Sequence, residues 1–209
     1  MAHTLEEADR MVQTCAAAGV PLSCGAITTT HPSFARAREL VQSGAIGELV
    51  SAEAAGPSAQ HQNWSYFLDS PPAWVVGIGD GPRRESGSDE FTGQGMMVAQ
   101  SGLVIHFRRG APGVRLCGTR GELAFDYFKA WRWWQEVEFD GLKQQMEMPW
   151  PKPQFVPPYG GIYSLDDVLD CLAGRLDEPK NSGRRVGVAL EVEIALKQSS
   201  ARGGARVDL

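Results

Sequence analysis

Apolar residues follow a helical period in four segments of the chain and a strand period in most of the remainder. A spacing of three to four residues between apolar side chains predicts an amphipathic helix. This spacing occurs at residues 5–17, 31–44, 164–172 and 185–201. The sequence therefore predicts four helices, two of them before the strand-rich central part of the chain and two after it.

Capping residues support the first and third of these helices. Thr4 and Glu7 have the spacing of a capping box, and so do Ser164 and Asp167. Gly19 ends the first helix, and residues 20–27 then predict one buried strand. The apolar face of the third helix is formed by Leu165, Val168, Leu169 and Leu172.

Alternating apolar residues predict a series of strands in the central part. Residues 48–50 begin one strand, and residues 73–78 form another before a glycine-rich turn. Later strands are predicted at 96–100, 103–107, 114–117, 123–127, 131–139 and 142–148. Because the connections between these later strands are short, the pattern indicates an antiparallel meander rather than alternating strand and helix units. The short apolar segment at residues 64–68 predicts one or two helical turns.

Two short motifs connect this pattern to a known family. Residues 43–50 (SGAIGELV) close a helix and open a strand, and residues 118–123 read GTRGEL. Together they resemble the Gfo/Idh/MocA family of NAD(P)-dependent oxidoreductases, which act on sugars, polyols and related small molecules. Residues 189–199 and 204–209 also resemble the C-terminal helix and final strand of that family.

The resemblance implies a division of the chain into two parts. Residues 1–9 are similar to the segment that follows the Glu-Lys-Pro signature of the family, so 1–30 is expected to be a remnant helix and strand of a Rossmann domain. Residues 31–209 then form the C-terminal substrate-binding and oligomerisation domain. Strand spacing and resemblance together predict an α+β domain with an open, largely antiparallel sheet of about six strands. Helices near 34–41, 165–172 and 188–196 are expected to cover one of its faces.

Composition narrows the functional classes. The chain has 209 residues, of which 43% are hydrophobic and 22% charged, as in ordinary globular proteins. Its net charge of −5 argues against nonspecific binding to nucleic acid or anionic membranes. Four separate cysteines show neither a metal-binding nor a redox spacing. The sequence predicts a cytoplasmic protein with no metal site, no membrane partner and no nucleic-acid partner.

Motifs for hydride transfer are missing from the expected places. A dinucleotide needs a glycine-rich turn between a strand and a helix, and residues 77–81 are followed at once by Pro82 instead. The lysine of the Glu-Lys-Pro signature and the family's Asp/His turn are absent as well. We therefore expect no cofactor to be bound by this chain alone, and NAD or NADP only if a partner chain supplies a Rossmann domain. His61 is the one candidate for a general base, and the alternative is a solvated loop histidine.

The densest aromatic feature lies at residues 131–134. Strand alternation places Trp131 and Trp133 on one face, with Arg132 and Trp134 on the other. One interpretation is a sugar-stacking platform in which Arg132 bonds hydroxyls or a carboxylate. The alternative is a sheet buried between its own helices and a second subunit, because aromatic residues anchor protein interfaces. That alternative predicts a homo-oligomer, most simply a dimer through the sheet face around residues 131–134.

Short basic pairs at 83–84, 108–109 and 184–185 are expected to be solvated, the alternative being a clamp for phosphate or carboxylate. The N-terminal segment is expected to pack on its own domain, exchange with a second copy, or dock onto a Rossmann-bearing chain.

Two functional hypotheses follow. In the first, the chain is the substrate-binding and oligomerisation half of a sugar or polyol dehydrogenase, not competent alone. In the second, it is a non-enzymatic small-molecule-binding or scaffolding module derived from that family.

Overall fold

Four α-helices, one 3₁₀ helix and nine strands make up the part of the chain that the computed structural model describes. That part comprises residues 2–25, 32–57, 62–79, 90–108, 113–125, 131–150 and 161–209. The four predicted helices are present, and so is the helical turn predicted at 64–68. The helices are α1 (Leu5–Ala17), α2 (Pro32–Gln42), the 3₁₀ helix (Gln62–Phe67), α3 (Gly161–Leu172) and α4 (Gly183–Ala201).

The nine strands form one open sheet in the order β8-β7-β6-β5-β1-β4-β3-β2-β9. Seven neighbouring pairs are antiparallel, and β1 and β4 are parallel. The strands are β1 (Leu49–Ala54), β2 (Pro72–Ile78), β3 (Gln94–Ala99), β4 (Val104–Phe107), β5 (Val114–Gly118), β6 (Gly121–Phe125), β7 (Arg132–Phe139), β8 (Leu142–Met148) and β9 (Val207–Asp208).

The α+β class is confirmed and seven of the eight neighbouring pairs are antiparallel, but the prediction of about six strands is wrong. The sheet is larger and mixed, because β1 is inserted between β4 and β5 and interrupts the predicted meander. In addition, β2 and β9 extend the sheet beyond β3. These pairings join segments far apart in sequence, and the local alternation of side chains carries no information about such partners.

A continuous row of apolar residues crosses the whole sheet on its inner face. Residues opposite one another on paired strands share a face, so the register identifies the members of the row directly. Six of its nine members are fully buried. From β9 to β8 the row reads Val207, Val75, Met97, Ile105, Ala52, Leu116, Leu123, Trp133 and Met148.

Three helical elements cover this inner face. Phe34 of α2 packs edge-on against Phe125, with the ring centroids 4.9 Å apart. Trp64 of the 3₁₀ helix packs in the same way against Phe107, at 5.3 Å. Leu196 of α4 is fully buried in the same apolar cluster. The predicted cover by helices near 34–41 and 188–196 is therefore confirmed.

The third predicted covering helix behaves differently. On α3, the side chains of Leu165, Leu169 and Leu172 are exposed to about half or more of their surface, so this face does not pack on the described sheet. Ser164 is not a cap either, because the helix already begins at Gly161. Buried Asp167 instead accepts hydrogen bonds from the backbone N–H and Nζ of Lys180, at 3.1 and 2.6 Å.

Helix α4 approaches β2 and β3 closely at two glycines. A Cβ added to Gly77 would lie 2.5 Å from the carbonyl oxygen of Leu196, and one added to Gly95 would lie 2.7 Å from Leu196 Cδ2. Buried Ser199 of α4 accepts a hydrogen bond from the N–H of Gly77 at 2.9 Å and donates to the carbonyl of Ala205 at 2.5 Å. The helix is thus held against the sheet by a close backbone contact and by one buried hydroxyl.

The N-terminal segment packs on its own domain, one of the three arrangements expected for it. Helix α1 has the predicted capping box of Thr4 and Glu7 and packs on α4. The strand predicted at 20–27 is reduced, in the described residues 20–25, to a single bridge between Ser23 and Ser182. The backbone N–H of Gly183 also donates to the carbonyl of Leu22 at 3.0 Å. Residues 26 and 27 lie outside the described part.

The outer face of the sheet mixes charged and apolar side chains. Ion pairs join Arg108 to Glu53 at 3.0 Å and Arg115 to Glu122 at 2.6 Å. Half-buried apolar residues concentrate instead on β2, β3 and β4, as at Trp74. The outer face is therefore charged near β1 and β5, where paired charges are tolerated because they remain solvated.

The contact at Gly77 gives a stability prediction. Gly77→Ala places a methyl group against the backbone of α4, so we expect the free energy of unfolding to fall by about 1–3 kcal/mol through overpacking. The matched control is Gly25→Ala, since a Cβ there meets no atom within 4 Å. Urea unfolding followed by tryptophan fluorescence measures both variants. Equal stability of the two would contradict the proposed role of the close approach.

Candidate functional site

Among the described residues, the structure separates Arg132 from the other two predicted ligand-contacting residues, Trp131 and Trp133. His61 lies outside the described residues. Trp133 belongs to the inner row, opposite Leu123 and Met148, while Arg132 is exposed on the outer face. The alternation predicted for residues 131–134 is therefore present, and it separates the arginine from the two tryptophans by the thickness of the sheet.

The surroundings of the tryptophans belong to the apolar core. Trp131 and Trp133 are partly buried and pack against the core cluster. The ring of Trp131 lies 6.2 Å from that of Trp150, which in turn lies 5.6 Å from that of Phe125. On the opposite face, the guanidinium of Arg132 stacks over the ring of Trp134 at 5.6 Å.

A different cluster of polar side chains forms where three helical elements meet. Arg38 lies on α2, Tyr66 lies on the 3₁₀ helix and Arg185 lies in the first turn of α4. The Cζ atoms of Arg38 and Arg185 lie 4.5 and 5.3 Å from the centroid of the Tyr66 ring. Two guanidinium groups therefore share one buried aromatic ring, an arrangement that cation–π attraction favours.

Hydrogen bonds hold both arginines to the 3₁₀ helix. Arg38 donates through Nη1 to the carbonyl oxygen of Tyr66. Arg185 donates through Nη1 to the carbonyl oxygen of Ser65 at 3.3 Å. Its Nε is buried and has no acceptor among the described residues. Each guanidinium carries five N–H donors, so these contacts leave donors available for another acceptor.

Acidic residues near the cluster balance its charge only in part. Lys180 is paired with Asp167, with Nζ 2.6 Å from Oδ1. Arg185 Nη2 lies 3.7 Å from Oε1 of Glu178, whose side chain is 48% exposed. Since the Arg185 side chain is only 20% exposed, this distant and solvated carboxylate compensates its charge weakly.

The pKa shifts reflect the same environment. Burial lowers the pKa of Arg185, and the nearby charge of Arg38 lowers it further. Burial raises the pKa of Tyr66 despite the opposing influence of Arg38, Lys180 and Arg185. The Tyr66 hydroxyl is therefore a neutral phenol at neutral pH. Arg185 remains charged at that pH because the ordinary pKa of a guanidinium is far higher.

This arrangement can bind and orient an anion. Guanidinium groups match the geometry of carboxylates and phosphates, and partial burial strengthens the attraction. Among the described residues it offers no buried, unengaged proton acceptor, since the phenol is neutral, Asp167 already accepts from Lys180 and Glu178 is solvated. In the described residues, no group of three or more His, Cys, Asp or Glu side chains is placed to hold a metal ion.

Local sequence explains the position of Arg185 but not that of its partners. Ser182 caps α4 by accepting from the backbone N–H of Arg185, at 3.3 Å, which fixes this residue in the first turn. The pair 184–185 was expected to be solvated, and this holds for Arg184, which is exposed. For Arg185, the buried position fits the alternative of an anion clamp. No sequence signal marks Arg38 or Tyr66 as its neighbours.

A spectroscopic titration tests the burial of Tyr66. Because its pKa is raised, we expect the absorbance change at 295 nm that is lost in Tyr66→Phe to have its midpoint above the ordinary tyrosine value of about 10. A midpoint at or below that value in the folded protein would contradict the buried position. Circular dichroism across the same pH range confirms that the chain is still folded during the titration.

Comparison with known proteins identifies the fold. No protein-family model and no curated protein sequence matches the chain. Among solved structures, aldose-aldose oxidoreductase from Caulobacter crescentus, complexed with glycerol, is 18% identical, with a TM-score of 0.72 over 100% of this chain and 70% of that one. Levoglucosan dehydrogenase in complex with NADH and levoglucosan is 16% identical, with a TM-score of 0.74 over 99% and 71%.

An NAD-binding oxidoreductase from Klebsiella pneumoniae is 14% identical, with a TM-score of 0.76 over 98% of this chain and 70% of that one. In the described helices, none combines the length and apolar character needed to cross a membrane. The resemblance noted at residues 43–50 and 118–123 is thus confirmed at the level of fold. The chain has the fold found over about 70% of each of these three oxidoreductase chains.

Proposed function

We propose that this chain is the substrate-binding and oligomerisation half of a sugar or polyol oxidoreductase and does not transfer hydride by itself. The observation that carries the proposal is the fold match, which covers 98–100% of this chain but about 70% of three oxidoreductase chains. In this proposal, residues 1–30 are the end of a Rossmann domain and residues 31–209 form the C-terminal domain.

The topology of the described residues supports the proposal that this chain alone holds no dinucleotide. Pyrophosphate binding in a Rossmann domain needs a parallel sheet and a glycine-rich turn that leads from a strand to a helix N-terminus. The described sheet contains a single parallel pair, β1 and β4. The described residues that directly follow these two strands, 55–57 and 108, form no helix. This supports the proposal that NAD or NADP is held by a Rossmann domain from outside these 209 residues, such as that of a separate partner chain.

A small polyhydroxy compound is the proposed ligand. The Caulobacter crescentus enzyme was solved with glycerol and levoglucosan dehydrogenase with levoglucosan. Candidate residues for contacting such a ligand remain Arg132, Trp131 and Trp133, with His61 as the candidate base. Since Arg132 and Trp133 lie on opposite faces of the sheet, one ligand molecule in one subunit cannot contact both. The cluster around Tyr66 is a further candidate.

The outer face of the sheet is the proposed interface of a homodimer in the cytoplasm. Trp74 and Trp134 are only partly buried there. The ion pairs Arg108–Glu53 and Arg115–Glu122 lie on the same face, and charged groups of a second copy can pair with them. Aromatic and arginine side chains are the usual anchors of such interfaces. A twofold arrangement is the simplest one that covers the same patch on both copies.

A non-enzymatic binding or scaffolding module is the second candidate function. It is favoured by the cluster of Arg38, Tyr66 and Arg185, which can hold an anion but has no buried, unengaged proton acceptor among the described residues. The two candidates differ in what they require from outside the chain. The oxidoreductase half needs a Rossmann partner for activity, whereas the binding module needs none.

Calorimetric titration with NAD⁺, NADH, NADP⁺ and NADPH tests the central proposal. We expect no measurable binding to the purified chain at concentrations up to the millimolar range, because the described residues offer no pyrophosphate site. Levoglucosan dehydrogenase with NADH is the positive control. Micromolar affinity of this chain for any of the four cofactors would overturn the proposal.

Light scattering tests the interface. We expect the chain to have twice the mass of one copy at micromolar concentration, and Trp134→Lys to raise the dimer dissociation constant at least tenfold, or about 1.4 kcal/mol. The matched control is Gln144→Lys, which adds the same charge at an exposed position of β8. A monomeric wild type, or equal effects of both variants, would exclude an interface around Trp134.

A further inference from the structure

We propose that Arg38, Tyr66 and Arg185 form a binding site for the carboxylate group of a polyhydroxy acid, such as a sugar acid. This inference rests on the proposed function, because it names the chemical class of the small-molecule ligand. It also assigns the ligand's charged end to the meeting point of α2, the 3₁₀ helix and the start of α4, which the sequence indicated only through the basic pair at 184–185.

The first argument is the incomplete compensation of charge. The guanidinium groups of Arg38 and Arg185 both approach the buried ring of Tyr66, and both carry a positive charge. Lys180 is neutralised by Asp167 at 2.6 Å, while Glu178 lies 3.7 Å from Arg185 and faces solvent. Among the described residues, three cations against two carboxylates leave about one unit of positive charge, which a single carboxylate would balance.

The second argument is the supply of hydrogen-bond donors. Arg185 uses Nη1 for the carbonyl of Ser65, and its buried Nε has no acceptor among the described residues. A buried N–H without an acceptor is costly, and a charged donor more so. The Nε and Nη2 edge of a guanidinium matches the two oxygens of a carboxylate. A carboxylate at this edge would replace the distant contact with Glu178 and satisfy Nε.

The third argument is that the site is built rather than incidental. Tyr66 is 6% exposed and the Arg185 side chain 20% exposed, so both are fixed by packing. Arg185 also lies in the first turn of a 19-residue helix, where the backbone dipole adds positive potential. A carboxylate is favoured over phosphate, because phosphate carries about two negative charges at neutral pH against one unit of positive charge here.

The test uses D-gluconate and sorbitol, two probes that share a hydroxylated chain and differ in carrying a carboxylate or a hydroxymethyl group at C1. Calorimetric titration of the full chain measures both, and inorganic phosphate is the third probe. We expect gluconate to bind at least tenfold more tightly than sorbitol or phosphate. We also expect its affinity to fall as sodium chloride is raised from 50 to 500 mM, since added salt screens charge attraction.

Paired variants locate the binding. We expect Arg38→Gln and Arg185→Gln each to weaken gluconate binding at least tenfold. The matched controls Arg36→Gln and Arg184→Gln remove exposed arginines from the same two helices and should change it less than twofold. If a Gln variant loses its circular dichroism spectrum, Arg38→Lys and Arg185→Lys replace it. These keep the charge, lose the planar fork and should weaken binding at least threefold.

Three results would overturn the inference: equal affinity for gluconate and sorbitol, equal effects of the test and control variants, or tighter binding of phosphate than of gluconate. Failure of the proposed function has a different signature, since micromolar binding of a nicotinamide cofactor would overturn that proposal while leaving the selectivity for gluconate intact.

Discussion

The close approach of α4 to β2 and β3 is the contact on which the arrangement of this domain depends. Gly77 and Gly95 bring the backbone of the helix to the sheet where any Cβ would collide with Leu196. Ser199 then satisfies backbone groups of both the strand and the residues after the helix. Because one end of α4 is fixed in this way, the direction of the whole helix is set, and with it the position of α1 packed on its other side.

This fixed direction carries the charge cluster. Arg185 lies 14 residues before Ser199, or about 21 Å along the helix axis. A small tilt of α4 at the glycine contact would therefore move Arg185 by several ångströms relative to Tyr66. The 3₁₀ helix is itself held by Trp64, which packs on Phe107 of β4. Sheet packing at one end of the domain thus determines the spacing of two guanidinium groups at the other.

Much of the fold could be predicted from local sequence, because helix caps and apolar periods are local properties. The capping box of Thr4, the extent of α1 and most strand bounds followed from neighbouring residues alone. The position of β1 between β4 and β5 did not, since strand partners far apart in sequence leave no local trace. The site was missed for the same reason. Arg38, Tyr66 and Arg185 are separated by 28 and 119 positions along the chain, and only the pair at 184–185 gave any signal.

The chemistry of the cluster separates ligand binding from catalysis. A general base must be deprotonated at working pH and lie within hydrogen-bond reach of the proton that it removes. Tyr66 fails the first condition because burial raises its pKa, and Asp167 is already engaged by Lys180. Glu178 is solvated and lies at the edge of Arg185 that a bound carboxylate would occupy. What remains is orientation, since a carboxylate held by two guanidinium groups fixes one end of a small molecule. Hydride and proton transfer at its other end would then depend on groups from outside this cluster, which is the division of labour expected of a substrate-binding half.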